Sequence, residues 1–162
     1  MKKSKVIIRK CEDYSVPAVE GLIREGMEEL GERPEGKILI KPNVVCATNF
    51  MNSAHTDSRV VEAMVSVLRK RAPHAGITIG ESGGMAIPTR LFFHHAGYTE
   101  MAKRIRVPLK DFNEERQVKV RLSRAKWHKT MFAAKSLYEA NYKIWMPKLK
   151  FHNGCQITNA VK

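Results

Sequence analysis

The sequence predicts an α/β protein with a largely parallel sheet flanked by helices. Three observations support this: strand and helix signals alternate as β-α-β-α-β over the first 80 residues, the strand segments are short apolar runs, and the intervening segments are long enough for helices. Crossovers of that length favour parallel strands joined by right-handed connections. A single domain over residues 1–162 is expected, because a chain of this size with 43% hydrophobic residues can bury a substantial core.

Local patterns place the individual elements. Apolar runs predict strands sharing one parallel sheet at residues 5–10, 37–41, 76–80 and 142–146. Apolar residues at helical spacing predict one helix from about Ser15 to Gly31 and a second from about Ser58 to just before Pro73. Weaker signals predict short helices at 88–96 and 99–105, strands at 107–112 and 117–122 with a turn at 113–115, and a helix at 131–140.

The positive charge is concentrated in the second half of the chain. The formal net charge is +13, yet residues 1–102 hold 14 Lys or Arg against 12 Asp or Glu, whereas residues 103–150 hold 14 against 4. Such an excess can form an anion-binding surface, or it can be balanced by acidic residues of a partner or of further chain. Both interpretations stay open at the level of the sequence.

Cysteine usage and hydropathy restrict the class of protein. Cys11, Cys46 and Cys155 lie far apart and form no C-x-x-C pair, which argues against a disulfide framework and against a complete zinc or iron–sulfur site made by this chain alone. A reduced, cytoplasmic setting is expected. No stretch approaches the roughly 20 apolar residues of a membrane span, so we expect no membrane partner.

The carboxyl ends of the predicted strands carry the polar residues of interest. In open parallel sheets, ligands bind outside these strand ends. The rule selects three segments: the long loop at 42–55, the glycine-rich turn at 81–84, and residues 147–154. Together they would bring Lys, Asn, Glu, Ser and His side chains to one edge of the sheet.

Several of these residues also have a purely structural explanation. Pro42 ends a strand because it lacks a backbone donor, which accounts for Lys41 and Asn43 without any function. Asp57, with His55, could ligate a metal, but a carboxylate at a helix start is equally well explained by the helix dipole.

Residues 80–84 match the G-x-S-x-G pattern of serine hydrolases. The hydrolase elbow, however, needs its helix to begin directly after the serine, whereas Pro88 suits the first helical position here. A glycine-rich turn that offers its amides to an anion, or that merely shapes the chain, fits better.

Four strings carry a family resemblance: ILIKPN at Ile38–Asn43, HTDSRVVEAMVSVLR at His55–Arg69, ITIGESGG at Ile77–Gly84, and EANYKIWMPKLKFHNGCQITNAVK at Glu139–Lys162. In order and spacing they resemble the domain of unknown function family 362, a bacterial and archaeal group often joined to ferredoxin-type iron–sulfur modules. The resemblance spans nearly the whole chain, although Met85–Ala134 matches little beyond the general layout.

The chain departs from the family pattern in two respects. Asn141 stands where members usually have Asp, and the pattern continues past Lys162, where this chain stops. The resemblance therefore implies the N-terminal portion of a longer family domain, with the sheet incomplete at the C-terminus. At that end Ile157, Ala160 and Val161 have the spacing of a helix that has only begun.

The resemblance and the strand-end rule together predict that a small anionic ligand or a metal cofactor binds at the carboxyl edge, in a redox enzyme with a ferredoxin-type module or partner. An iron–sulfur cluster would belong to a full-length protein, since the ligand set here is incomplete; cofactor, metal and reaction stay open. The expected binding residues are Lys41, Asn43, Ser82, Gly83, Lys148 and Lys150, and the expected acid–base or metal-ligating residues are Asp57, Glu81 and His152.

The alternative prediction is a non-catalytic nucleic-acid-binding protein that uses the basic second half. It requires basic residues on one continuous face with aromatic groups for stacking. Trp127 and Trp145 are the only tryptophans, and Trp145 lies in a predicted core strand. Support from the sequence is therefore weaker for this alternative.

Overall fold

A computed structural model describes residues 4–45, 54–84, 87–152 and 156–158. The helices are α1 Val16–Leu30, α2 Ser58–Arg71, α3 Thr89–His95, α4 Tyr98–Ile105 and α5 Lys135–Glu139. The strands are β1 Lys37–Pro42, β2 Gly76–Glu81, β3 Leu109–Asp111, β4 Gln117–Arg121, β5 Thr130–Ala134, β6 Tyr142–Met146, β7 Lys150–His152 and β8 Gln156–Thr158.

The central sheet has four strands in the order β3-β2-β1-β6, and every neighbouring pair is parallel. The predicted α/β class with a parallel sheet and flanking helices is therefore confirmed. The chain adds β2 and β3 on one side of β1 and then returns to place β6 on the other side. The strand order thus reverses at β1, whose carboxyl end is flanked by those of β2 and β6.

The two faces of the sheet are covered differently. Ile38 and Ile40 of β1 and Ile79 of β2 belong to the main core with residues of α1, α2, α3 and α4. Leu39 faces the other way and packs with Phe112 and with residues at the ends of α5. β1 is buried on both faces, as expected for a central parallel strand, and helices α1–α4 hold one face of the sheet.

The two long helices begin and end as the sequence predicts. Helix α1 has Pro17 in its first turn and stops at Gly31, whose φ of 70° is a left-handed conformation that glycine adopts readily. Helix α2 is capped by Asp57, whose side chain accepts a hydrogen bond from the amide of Arg59. The short helices α3 and α4 also form, and Gly97 separates them with a φ of 76°.

The predicted first strand is wrong. Residues 5–10 form no strand, and Val6 and Ile8 are 78% and 84% exposed. Both neighbours of β1 are other strands, and Lys5 and Arg9 instead pair with Glu29 on α1. An apolar run of three residues between basic ones is too short to secure a place in the sheet.

The region between residues 107 and 140 also differs from prediction. Strand β3 does not pair with β4 but joins the parallel sheet beside β2. Strand β4 pairs antiparallel with β5, although residues 131–140 were expected to be helical throughout; only α5 is helical there. The apolar positions of this segment fit a strand followed by one helical turn as well as a single helix, and the pairing with β4 decides between them.

The last described residues form a short ribbon. Strands β7 and β8 pair antiparallel, with Phe151 opposite Ile157. Ile157 therefore lies in a strand rather than at the start of the predicted helix, while Ala160 and Val161 lie outside the described residues. Among the helices described, none has the length and apolar character needed to cross a membrane.

Substitution of two glycines in β2 tests how the face of the sheet that contains Leu39 packs against Phe112. A Cβ added to Gly80 would lie 2.2 Å from Cε1 of Phe112, whereas a Cβ on Gly76 meets nothing within 4 Å. We expect Gly80→Ala to lower the free energy of unfolding by about 1–3 kcal/mol, since the Phe112 ring must move. Urea unfolding measures this, with Gly76→Ala as the matched control; equal effects of the two substitutions would contradict the packing described.

Candidate functional site

A buried ion pair lies at the carboxyl edge of the sheet. Glu81, the last residue of β2, is only 3% exposed. One carboxylate oxygen lies 2.7 Å from Nζ of Lys41 and accepts a hydrogen bond of 2.7 Å from the amide of Ser82. The other accepts a bond of 3.3 Å from the amide of Val44. Glu81 therefore joins the ends of β1 and β2.

Burial makes Glu81 a weaker acid than an exposed glutamic acid. Loss of hydration raises the pKa of this carboxyl above its usual value of 4.5, and the charge of Lys41 with the amides of Ser82 and Val44 offsets only part of the rise. A raised pKa makes this carboxyl easier to protonate than an exposed one, which suits a group that exchanges protons at a strand end.

Lysines from the segment after β6 reach the same edge. Nζ of Lys150 donates to Oδ1 of Asn43 over 2.6 Å and to the carbonyl of Ala54 over 2.7 Å. The charge of Lys148 contributes to the low pKa of Asp57, which places Lys148 near the start of α2. Residues more than 90 positions apart in sequence thus meet beyond the ends of β1 and β6.

Thr56 holds this arrangement together. Its hydroxyl donates to the carbonyl of Met146 at the end of β6 over 2.6 Å and accepts from the amide of Asn43 over 3.0 Å. Its carbonyl accepts from the buried hydroxyl of Tyr98 over 2.7 Å. Sequence reasoning did not select Thr56, although the string HTDSRVVEAMVSVLR at His55–Arg69 contains it.

His55 is the one buried side chain in the described residues with an unsatisfied polar atom. The residue is 5% exposed; its Nδ1 accepts from the amide of Val45, and its Nε2 has no hydrogen-bond partner among the described residues. Burial, with the nearby charge of Lys150, lowers the pKa of His55. The ring is therefore neutral at pH 7, and the hydrogen-bond pattern assigns its proton to Nε2.

Asp57 is engaged at the start of α2. Its carboxylate accepts from the amide of Arg59 and lies 2.8 Å from the Arg59 guanidinium, and these contacts hold its pKa below the usual range. The cap accounts for this residue structurally; acid–base or metal chemistry at Asp57 stays a prediction. An open cleft of about 360 Å³ beside it is also lined by His55 and His95.

The glycine-rich turn after β2 is shaped by its own contacts. Ser82 donates to Oδ1 of Asn113 over 2.8 Å, and the amide of Gly83 donates to the hydroxyl of Thr89 over 2.9 Å. A Cβ on Gly83 would lie 2.2 Å from the ring of Phe92, so packing alone requires glycine here. Helix α3 begins only at Thr89, so Ser82 does not stand on a hydrolase elbow.

A second, acidic cleft lies over the ends of β2 and β3. It has a volume of about 490 Å³ and is lined by Ser82, Asp111, Asn113 and Glu114, among others. Asp111 accepts from both the amide and the hydroxyl of Thr89, over 3.0 and 2.7 Å. Sequence reasoning missed Asp111 because its strand was assigned to a hairpin rather than to the parallel sheet.

The structure brings together five of the predicted site residues: Lys41, Asn43, Glu81, Ser82 and Lys150. Lys148 and Asp57 lie beside them, and Gly83 supports the turn. The side chain of His152 and residues 46 and 153–155, which include Cys46 and Cys155, lie outside the described residues. Within the part of the chain that is described, no three His, Cys, Asp or Glu side chains form a group able to hold a metal ion.

The fold and this edge define an α/β domain whose polar groups gather where parallel strands end. The family model "Domain of unknown function (DUF362)" matches residues 38–162, more than three-quarters of the chain. The chain belongs to this family, and the matched range contains all four strings on which the resemblance rests. Searches of curated proteins and of solved structures gave no match.

Glu81 should leave a recognisable trace in the pH dependence of stability. Because its pKa is raised in the folded state, Glu81 favours folding most below pH 4.5, and this contribution is lost as the pH rises through the folded value. We therefore expect the difference in unfolding free energy, wild type minus Glu81→Gln, to decrease over that range. Urea unfolding at a series of pH values measures it; a difference that rises with pH would contradict the raised pKa.

His55 should produce the opposite trend. Its lowered pKa means that its contribution is complete above pH 6.5 and is lost as the pH falls through the folded value. His55→Asn keeps an acceptor for the amide of Val45 but cannot take up a proton. The difference in unfolding free energy between wild type and this variant should shrink on acidification; a constant difference would show that His55 ionises equally in both states.

Proposed function

We propose that the edge between β1 and β6 binds a small anionic ligand and that Glu81 exchanges a proton there. The observation that carries the proposal is the gathering of Lys41, Lys148 and Lys150 around this edge, with Lys150 held at Asn43. Among the described residues, the carboxylates of Glu81 and Asp57 lie near these lysines, and Asp57 pairs with Arg59. Lysines gathered at one strand edge suit the negative charge of a ligand.

The order of the strands in the sheet also supports a ligand site at the edge between β1 and β6. Ligands of open α/β sheets bind where the strand order reverses, because the connections diverge there and leave a crevice. In this sheet the reversal falls at β1, between β2 and β6. Asn43 follows β1 and the two lysines follow β6, so both sides of the reversal contribute polar groups.

The edge between β1 and β6 and the cleft over β2 and β3 differ in the charge of the side chains that line them. Asp111 and Glu114 line the cleft over β2 and β3 and repel an anion. Ser82 and Asn113 of the same cleft supply neutral hydrogen-bonding groups. A ligand that places its anionic group near the lysines can extend its neutral polar part toward Ser82.

Ligand binding should be coupled to protonation. An anion that contacts Lys41 competes with Glu81 for the same ammonium group, and weakening that pair raises the pKa of Glu81 further. Glu81 would then take up a proton as the anion binds and could deliver it to the ligand. Asp57 and His152 are proposed as further acid–base or metal-ligating groups.

The setting of this activity is a separate part of the proposal. Cysteine usage supports a reduced, cytoplasmic setting, and the family resemblance supports a redox protein with a ferredoxin-type module or partner. The anion-binding proposal does not depend on that setting, because it uses only residues of this chain.

Calorimetric titration with inorganic phosphate tests the proposal. We expect binding by the wild-type protein, weakened about tenfold or more by Lys150→Gln, because a hydrogen bond to a charged group contributes about 1.5–3 kcal/mol. Lys148→Gln should act in the same direction without touching the Asn43 contact. Because phosphate itself exchanges protons near neutral pH, proton uptake is measured with sulfate: the heat of sulfate binding should vary with the ionisation enthalpy of the buffer, and Glu81→Gln should abolish this variation.

The matched control is Lys103→Gln. Lys103 is an exposed lysine on α4 whose only described ion pair is with Glu100, so its removal changes the net charge equally while leaving the edge intact. An equal loss of affinity in Lys103→Gln and Lys150→Gln would mean that phosphate responds to overall charge and would remove the site. Unchanged circular dichroism of Lys150→Gln is required, since that variant also loses its bond to Ala54.

A further inference from the structure

Strands β4 and β5 with the turn between them, residues 117–134, form a two-stranded ribbon, here called the basic ribbon. It contains no Asp or Glu and carries five Lys or Arg: Lys119, Arg121, Arg124, Lys126 and Lys129. None of the five forms an ion pair with a carboxylate of the described residues, whereas Lys70 and Arg104 elsewhere pair with Glu20 and Glu62. The positive charge of the ribbon is thus not neutralised by the described part of the fold.

Exposed aromatic rings are interleaved with these charges. Trp127 in the turn is 87% exposed, and Phe132 on β5 is 65% exposed. Phe132 is directly opposite Lys119 in the register of the ribbon, and directly opposite residues lie on the same face. Arg121 lies two positions along β4 and shares that face, so cations and a planar ring alternate on one surface.

We infer that the basic ribbon binds single-stranded nucleic acid. Its Lys and Arg side chains contact phosphates, and the rings of Trp127 and Phe132 stack on unpaired bases. A single strand fits better than a duplex because the faces of paired bases are already stacked on one another and offer nothing to an exposed ring. Such binding is tolerant of sequence, since phosphate contacts and stacking carry little base information.

Other acidic partners match the ribbon less well. An acidic protein would satisfy the five cations, but its negative charges do not by themselves provide a planar partner for the Trp127 ring, as unpaired bases do. An anionic membrane would favour a continuous apolar face beside the charges, whereas Val118 and Val120 on the other face of β4 are partly buried. Binding to an anionic membrane becomes one outcome of the experiment.

This inference is independent of the anion site. The basic ribbon is a sheet of its own, hydrogen-bonded to no strand of the four-stranded sheet, and none of its residues contributes a described contact to the Glu81 edge. Ribbon variants should therefore leave phosphate binding at that edge unchanged, which distinguishes failure of one proposal from failure of the other.

Fluorescence anisotropy with a labelled oligothymidylate tests the inference over a series of salt concentrations. Trp127→Ala should weaken binding between about 5-fold and about 150-fold without changing the salt dependence, because it removes one stacking contact. Arg124→Gln/Lys126→Gln should also weaken binding and should reduce the slope of log K against log salt by about 1.4, the value for two phosphate contacts to a single strand.

The double variant Lys10→Gln/Lys103→Gln is the matched control, because it removes the same charge from exposed positions outside the ribbon. It should retain most of the affinity of the wild type. Equal weakening by the control, no effect of Trp127→Ala, tighter binding to a duplex of the same length, or binding to phosphatidylserine vesicles in place of the oligonucleotide would each overturn the inference. Far-ultraviolet circular dichroism confirms that each variant is folded.

Discussion

The buried pair between Glu81 and Lys41 is the constraint on which the carboxyl edge depends. A carboxylate this far from water is tolerated only with a partner and with donors for its remaining lone pairs. Lys41 supplies the charge, and the amides of Ser82 and Val44 supply the donors. Val44 after β1 and Ser82 after β2 are therefore both held by one side chain.

Thr56 extends this network to the third strand end. By donating to Met146 and accepting from Asn43, it joins the ends of β6 and β1, and its carbonyl anchors the edge to Tyr98 in the helical layer. The neighbouring His55 is buried by the same packing, yet its Nε2 has no hydrogen-bond partner among the described residues. Thr56, which joins the strand ends, and His55, which carries the unsatisfied donor, are thus adjacent in sequence.

The distribution of charge matters more than its sum. Acidic residues of α1 and α2 pair with basic residues of neighbouring helices, as Glu20 does with Lys70 and Glu62 with Arg104. The basic ribbon has no such pairs in the described structure. The lysines at the edge of the sheet, by contrast, lie near Glu81, which is buried, and Asp57, which caps α2. Two regions rich in basic residues result: the lysines around the strand ends, and the basic ribbon with its exposed rings.

Sequence patterns alone determined much of the framework. Helices α1 and α2 and strands β1, β2 and β6 followed from apolar periodicity and from the residues that end each element, and the strand-end rule selected Lys41, Asn43 and Glu81. Only the tertiary structure placed β3 in the sheet, paired β4 with β5 and left residues 5–10 outside, because short segments take their conformation from the partners they meet. The roles of Thr56, His55 and Asp111 were likewise decided by tertiary contacts: burial and hydrogen bonding depend on groups such as the Met146 carbonyl, which lies 90 residues from Thr56 in sequence.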